Sequence, residues 1–198
     1  GSRVAPLPAA PSGSPGFRVV MADPPWSYSN AAGSGHPENR YSTLSTDEIC
    51  SMPVADVSAR TAALFLWVPA SHVPEALQVV EAWGFQYRTA IPWIKTRRTD
   101  GEVSHGGLGR PWRSVHELLL YGMRGSARAA ATQTGMLETL ESGETIQAPR
   151  GHHSQKPMSQ YGLIERAYPT GPYLELFARR QHPGWVAWGN EVDDKVPA

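Results

Sequence analysis

The chain has 198 residues, 40% of them hydrophobic, which suits one domain with a sizeable core rather than a disordered or fibrous polymer. Lys plus Arg and Asp plus Glu both number 18, so no global field marks a nucleic-acid or membrane-surface binder. The lone Cys50 excludes an intrachain disulfide and fits a reducing, cytoplasmic setting, and no apolar run is long enough to span a bilayer.

Residues 1–16, GSRVAPLPAAPSGSPG, hold no signal-peptide core and little to pack; they read as a flexible lead, with Gly1-Ser2 as a fusion scar. Residues 17–198 are then expected to form a single domain. Phe17 to Ala22 predicts a short buried strand. Asp23-Pro24-Pro25-Trp26 follows at once, and paired prolines cannot continue a central ladder. Asp23 is therefore placed at the carboxyl end of a strand, where open α/β sheets bind ligands; a plain Asp-Pro turn is the alternative. A polar, Gly-rich loop runs to about residue 44, and a short helix opens at Thr46 with Ser45 or Thr46 as its cap. Thr61 to Val68 is almost wholly apolar and predicts a central strand ended by Pro69. Pro74 to Trp83 predicts a helix with Ala76, Leu77, Val80 and Trp83 inward, stopped by Gly84. Phe85 to Lys95 predicts a strand in which Pro92 marks an edge or a bulge.

Residues 96–113 read as a long basic loop and Ser114 to Gly122 as a strand. Residues 125–153 read mostly as loop, with a helix near 133–140. Pro157 to Tyr168 predicts a helix with proline in its first turn, and Tyr173–Ala178 and Trp185–Gly189 two last strands. Strands alternating with helices argue a mostly parallel sheet covered on both faces. No G-x-G-x-x-G follows the first strand and no G-x-x-x-x-G-K-[ST] occurs, which removes the nicotinamide-dinucleotide and P-loop readings. No His/Cys cluster has metal-site spacing.

In order, the chain reads ADPPW, FLWV, GF…PWIK, HELLLYG, HSQKP, YGLIER and LELFARR…GWVAWGNE. Together these resemble the N6-adenine methyltransferases related to the catalytic subunit of the eukaryotic mRNA adenosine methyltransferase. Bacterial and phage relatives share the pattern, and the chain reads as a member of that type. The resemblance spans residues 17–193. It implies a Rossmann-like S-adenosylmethionine-dependent methyltransferase fold in which the catalytic motif precedes the cofactor-binding strand, and no metal. The eukaryotic subunit has a segment before its D-P-P-W strand that helps hold the cofactor adenine; here the Pro/Ala/Ser/Gly-rich lead occupies that place.

The resemblance gives the motif its chemistry. Adenine N6 is a poor nucleophile because its lone pair is delocalised into the ring. The Asp23 carboxylate and the Pro24 carbonyl could each accept an N6 hydrogen, Pro24 and Pro25 would hold those acceptors rigid, and Trp26 would offer a ring against the base. Cofactor contacts implied by family match are Asp23, Lys156 to the methionine carboxylate, Glu175 to the ribose hydroxyls, Arg179 and His182 beside the ribose, and Asn190 near the adenine or ribose. Gln181 could take the place given to His182. On the substrate side Tyr28 and Tyr41 would border the base. Lys95, Arg97, Arg98, Arg110 and Arg113 belong to the one marked basic excess and would face phosphates along a cleft rim. The expected reaction is adenine-N6 methylation of DNA, with single-stranded or locally melted DNA favoured over RNA. RNA methylation and an inactive, partner-binding relative are the alternatives. A homodimer or a partner subunit is compatible with either.

Overall fold

The computed structural model describes residues 5–27, 43–106, 112–127, 145–149, 151, 155–190 and 192. Tyr28, Tyr41, Arg110 and the helix expected near 133–140 lie outside these residues.

Seven strands form one sheet among the described residues: β1 (Phe17–Ala22), β2 (Ser58–Pro69), β3 (Gln86–Thr96), β4 (His116–Arg124), β5 (Ile146–Pro149), β6 (Tyr173–Leu176) and β7 (Trp185–Trp188). Their order is β5-β3-β4-β2-β1-β6-β7. β4 is antiparallel to β2 and β3, and every other neighbouring pair is parallel. Six strands thus point one way and β4 alone points back. The helices are α1 (Thr46–Cys50), α2 (Val54–Val57), α3 (Val73–Ala82, after a 3-10 turn at Ala70–His72) and α4 (Ser159–Ala167). This is an α/β Rossmann-like fold with a mixed, mostly parallel sheet, of the kind found in S-adenosylmethionine-dependent methyltransferases.

The apolar strands make two cores, one on each face. In β2, Ala62, Leu64, Leu66 and Val68 face α1, α2 and α3, while Ala63, Phe65 and Trp67 face α4. Burial on both sides is why this strand reads as an unbroken apolar run. In β1, Val20 and Ala22 join the first core and Val19 and Met21 the second; an irregularity between Phe17 and Val19 turns Phe17 to the first.

Local signals act as their chemistry dictates. Ser45 caps α1 in a capping box with Glu48. Gly84, at φ 80°, ends α3. On α3 the buried set is Ala76, Val79 and Val80, with Trp83 beyond; Leu77 is 38% exposed, because it lies about 100° around the helix from Ala76. Pro92 is opposite Leu118 of β4, but the β5 ladder begins only at Trp93, so its missing N–H faces an unpaired stretch among the described residues. The irregularity in β3 lies instead between Tyr87 and Thr89. β5 sits where a loop was expected. Its four residues are too few to show periodicity, and it is tied down by the Trp93 indole N–H donating to the Ala148 carbonyl at 2.9 Å. α4 begins at Ser159, two residues after Pro157. In the lead, Leu7 and Ala10 pack against the first core and the Pro6 carbonyl accepts from the Trp188 indole at 3.1 Å.

Candidate active site

The strand order reverses between the parallel strands β1 and β6: from β1 the chain crosses to β2 on one side, and β6 returns on the other. Such a switch point opens a crevice at the carboxyl ends of the strands. A small cleft lies there. Asp23 and Glu175 line it from the neighbouring strands β1 and β6, and Lys156, Gln160, Arg179 and Arg180 complete the lining.

Asp23 directly follows β1, and its N–H donates to the Leu176 carbonyl of β6 at 3.3 Å. The prolines after it make a closed turn. The Pro24 carbonyl accepts from Trp26 N–H at 2.9 Å, and the Pro25 carbonyl accepts from Leu44 N–H at 3.0 Å. Pro24 therefore offers one remaining lone pair rather than a free carbonyl. Trp26 departs from expectation. It is only 6% exposed, belongs to the core and donates its indole N–H to the Trp67 carbonyl at 3.0 Å. Its ring packs in the core beneath the turn.

Lys156 approaches from the segment before α4. Its ammonium lies 2.8 Å from Asp23 Oδ1 and 2.9 Å from Oδ2, and 3.2 Å from Glu117 Oε2. Lys95 Nζ then holds Glu117 Oε1 at 2.5 Å. The result is an alternating chain, Lys95–Glu117–Lys156–Asp23, with side chains 9–22% exposed. Burial alone would push Glu117 up, but Lys156 and Lys95 outweigh it and hold the carboxyl below its usual range. Burial alone would lower Lys156, and the carboxylates of Asp23 and Glu117 reverse that, so its ammonium is held charged above the ordinary value. Lys156 is thus engaged with two carboxylates of the protein, where the sequence assigned it to the methionine carboxylate. Lys95, expected on the cleft rim, is paired with Glu117 and only 13% exposed at its side chain.

Across the cleft, Glu175 in β6 accepts from the Tyr161 hydroxyl at 2.8 Å. Burial pushes its carboxyl up to about 7, helped by the Asp23 charge and against opposing pulls from Tyr161 and Arg180. Phe177 next to it takes a left-handed φ of 61°, which turns the chain out of β6 and sets Arg179 and Arg180 over the cleft. The Arg180 guanidinium donates to the Lys156 carbonyl at 3.3 Å. Gly189 is required nearby: a Cβ there would lie 2.3 Å from the Ala178 carbonyl oxygen.

The structure therefore gathers Asp23, Lys156, Glu175 and Arg179 into one cleft. It does not gather His182 or Asn190. The His182 ring stacks on Tyr161 with centroids 3.7 Å apart and lies 3.4 Å from Glu165, outside the lining. Gln181, its alternative, spends its amide on the His182 and Trp185 carbonyls. Asn190 is exposed after β7. Arg97 pairs with Asp100 at 2.8 Å and meets His105, Arg98 is also engaged, and Arg113 is exposed.

Sequence reasoning missed Glu117, Gln160, Phe177 and Arg180. Gln160 is 3% exposed and accepts the Trp67 indole N–H at 2.7 Å, so an indole given only a core role also floors the cleft. The signal for Glu117 was present in HELLLYG: a carboxylate opening an otherwise apolar strand. Because β4 runs backwards, that opening lies at the carboxyl edge of its neighbours, with Pro69 of β2 opposite Glu117.

The donor set fits S-adenosylmethionine. Glu175 presents a carboxylate whose raised titration calls for hydroxyl donors such as a ribose diol, and Arg179 and Arg180 supply charge for a carboxylate. Among the described residues no group of three or more His, Cys, Asp or Glu could hold a metal ion, and no helix is long and apolar enough to cross a membrane.

Comparison with known proteins places this geometry. The MT-A70 family matches residues 17–191. The N(6)-adenosine-methyltransferase MT-A70-like protein of Arabidopsis thaliana is 30% identical over 179 residues, 89% of this chain and 24% of the relative. The human N(6)-adenosine-methyltransferase catalytic subunit METTL3 is 31% identical over 179 residues, 89% of this chain and 28% of the relative. The type II methyltransferase M.MunI of a Mycoplasma species is 26% identical over 197 residues, 90% of this chain and 78% of the relative. The chain thus spans about a quarter of the eukaryotic relatives. Two expectations are corrected. The chain does not group with a bacterial or phage type, and DNA is not the favoured substrate or partner: the relatives at 30% identity or above carry N(6)-adenosine-methyltransferase names from plants and animals, whereas the bacterial match is lower. This chain belongs to the MT-A70 family, whose methyl donor is S-adenosyl-L-methionine.

Proposed function

We propose that this chain transfers a methyl group from S-adenosylmethionine to the N6 amino group of adenosine in RNA. The observation that carries the reading is Asp23, held at the carboxyl end of β1 by Lys156, facing Glu175 across one cleft. The names borne by the eukaryotic relatives over 89% of the chain support adenosine as the acceptor. When bound, the cofactor supplies an electrophilic methyl group on sulfur.

The residues of the chain do the rest. Asp23 accepts a hydrogen of the N6 amino group and so directs its lone pair toward the methyl. Positive charge that grows on N6, as its bond to the methyl carbon forms and the sulfur–methyl bond breaks, would be met by the same carboxylate, whose position is already set by Lys156, and the proton that N6 then sheds would leave by way of Asp23 to solvent. The remaining lone pair on the Pro24 carbonyl can take the second N6 hydrogen. Glu175 holds hydroxyls of the cofactor ribose, and Arg179 and Arg180 take its carboxylate in place of Lys156. A base reaches Asp23 only when unstacked, so single-stranded RNA is the expected form.

The test is transfer of a labelled methyl group to RNA and DNA oligomers of one sequence, followed by nuclease digestion and separation of nucleosides. N6-methyladenosine from the RNA, abolished by Asp23→Ala, is expected. No labelled N6-methyladenosine from any single-stranded RNA would overturn the reading.

A further inference from the structure

We propose that Lys95 is a positioning residue for methyl transfer: by holding Glu117 it keeps Lys156 on Asp23, and it does not contact phosphate. This rests on the function proposed above.

The placement follows from the sheet. Glu117 of β4 is opposite Trp93 of β3, and Lys95 is two residues further along, on the same face and one diagonal step away. That distance suits a long side chain. Lys95 N–H also donates to the Val115 carbonyl at 2.8 Å, so its backbone is fixed beside the start of β4. Its ammonium passes 5.2 Å from the Trp93 ring centroid, as that of Lys156 passes 5.7 Å from Trp67, and the two indoles meet edge to face at 6.0 Å. The charge chain therefore lies along an aromatic floor that excludes water from one side.

Order along the chain decides the role. Lys156 has two carboxylates in reach, and it is nearer Asp23 (2.8 Å) than Glu117 (3.2 Å). Lys95 takes the other Glu117 oxygen at 2.5 Å. With Lys95 in place, Glu117 is compensated and Lys156 is left to Asp23. Without it, Glu117 must either draw Lys156 to itself or take up a proton, and both change how Asp23 is held. The charged groups around Glu117 are Lys95 from β3, Lys156 from the segment before α4 and, through Lys156, Asp23 after β1; His72, from the 3-10 turn packed near β4, bonds Ser71 and the Ser27 carbonyl. Lys95 at 13% side-chain exposure has little surface left for a phosphate.

Lys95→Met keeps the stem and removes the charge. The expected result is a kcat lower by roughly 10–100-fold, the scale of an ångström-level misplacement. The acid limb of the kcat profile should move to higher pH, while RNA affinity and its salt dependence stay as in the parent. Lys95→Arg should recover most of the rate. A KM effect on RNA with a reduced salt slope and an unmoved pH profile would overturn the proposal in favour of a phosphate contact. Carbon-13 titration of the Glu117 carboxyl in both variants is independent of turnover: it should rise in Lys95→Met and return toward the parent in Lys95→Arg, and an unchanged titration also overturns the proposal. An inactive parent protein would instead defeat the assigned function, with the Glu117 titration still deciding the link between Lys95 and Glu117.

Discussion

The two sides of the cleft solve opposite problems. On the β1 side, Asp23 and Glu117 alternate with Lys156 and Lys95, and each charge is matched within 3.2 Å. On the β6 side, Glu175 accepts from a tyrosine hydroxyl and feels Arg180 among the described residues, yet burial still pushes its carboxyl up to about 7. The first side is complete without a ligand, as suits a group that must meet charge only when it develops. The second is left in need of donors, as suits a group that binds. Under the proposed function, the fold would separate chemistry from affinity by how thoroughly it neutralises each carboxylate.

The contrast breaks first at Asp23. Asp23→Ala should lower single-turnover transfer by roughly a thousandfold or more, at the upper end of losses seen when one preorganised electrostatic group is removed. Asp23→Asn keeps the size and one acceptor but removes the charge opposite Lys156, and should be nearly as damaging. Cofactor affinity should change far less in either variant, since the ribose and carboxylate contacts lie across the cleft. Rates near that of the parent protein in both would remove Asp23 from the chemistry.

Lys156 tests the interlocked side as a structural unit. Lys156→Met leaves two carboxylates with one cation among groups mostly removed from water, and breaking such a pair costs about 3–5 kcal/mol. With folded-state Glu117 held low, its stabilising contribution is present above its unfolded titration range and is lost as pH falls through the lower folded value. The variant should therefore lose stability at neutral pH and show a weaker acid dependence of its melting temperature. Arg97→Ala, which breaks an exposed pair with Asp100, should leave the melting temperature unchanged within error.

Glu175 tests the unsatisfied side. Its folded value of about 7 lies above the unfolded value, so its contribution to stability is greatest at low pH and falls as pH rises through about 7. Hydroxyl donors favour the ionised form, so cofactor binding should release a proton below that pH. Affinity measured by calorimetry should strengthen from pH 6 to pH 8 and level off. Glu175→Gln should weaken binding by roughly 10–100-fold, the worth of a hydrogen bond to a charged group, and flatten that pH dependence. A pH-independent affinity in the parent protein would break the contrast between the two sides.

Both halves of the cleft could be read from the sequence in part, for different reasons. Asp23 and Glu175 were legible because each ends or interrupts an apolar run, and a strand's carboxyl end is fixed by local pattern. The pairing of Lys156 with Asp23, 133 positions apart, was not, since it depends on β6 and α4 folding back beside β1. Glu117 escaped because its location follows from the reversed direction of β4, a matter of sheet topology. Trp26 is buried where the sequence offered its ring to a base, while Trp67 is the core residue its apolar strand predicts and lines the cleft as well; only packing separates an indole beside a motif from one on a surface. β5 lacked the length to show a period and needed β3 to exist.

The smallest effect concerns the basic segment, and it sharpens the distinction between a cation that holds the site and one that meets RNA. Lys95, Arg97 and Arg98 are close in sequence, yet Lys95 lies within the charge chain, whereas the Arg97 side chain is 35% exposed and that of its partner Asp100 44%. An exposed guanidinium can exchange a surface carboxylate for a phosphate at little cost. Arg97→Ala with Arg98→Ala should weaken RNA binding a few-fold at low salt, equally across sequences, and lower the slope of log affinity against log salt by at most about 1–2, near 0.7 per lost contact on a single strand. Cofactor affinity and the pH profile should be untouched. Lys95→Met is expected to do the reverse, moving the pH profile and sparing the slope. If both variants lower the slope alike, the segment acts as one phosphate-binding strip and Lys95 is part of it. If the arginine pair changes nothing, the RNA path lies elsewhere on the surface, and the charges of this segment serve only the loop that carries them.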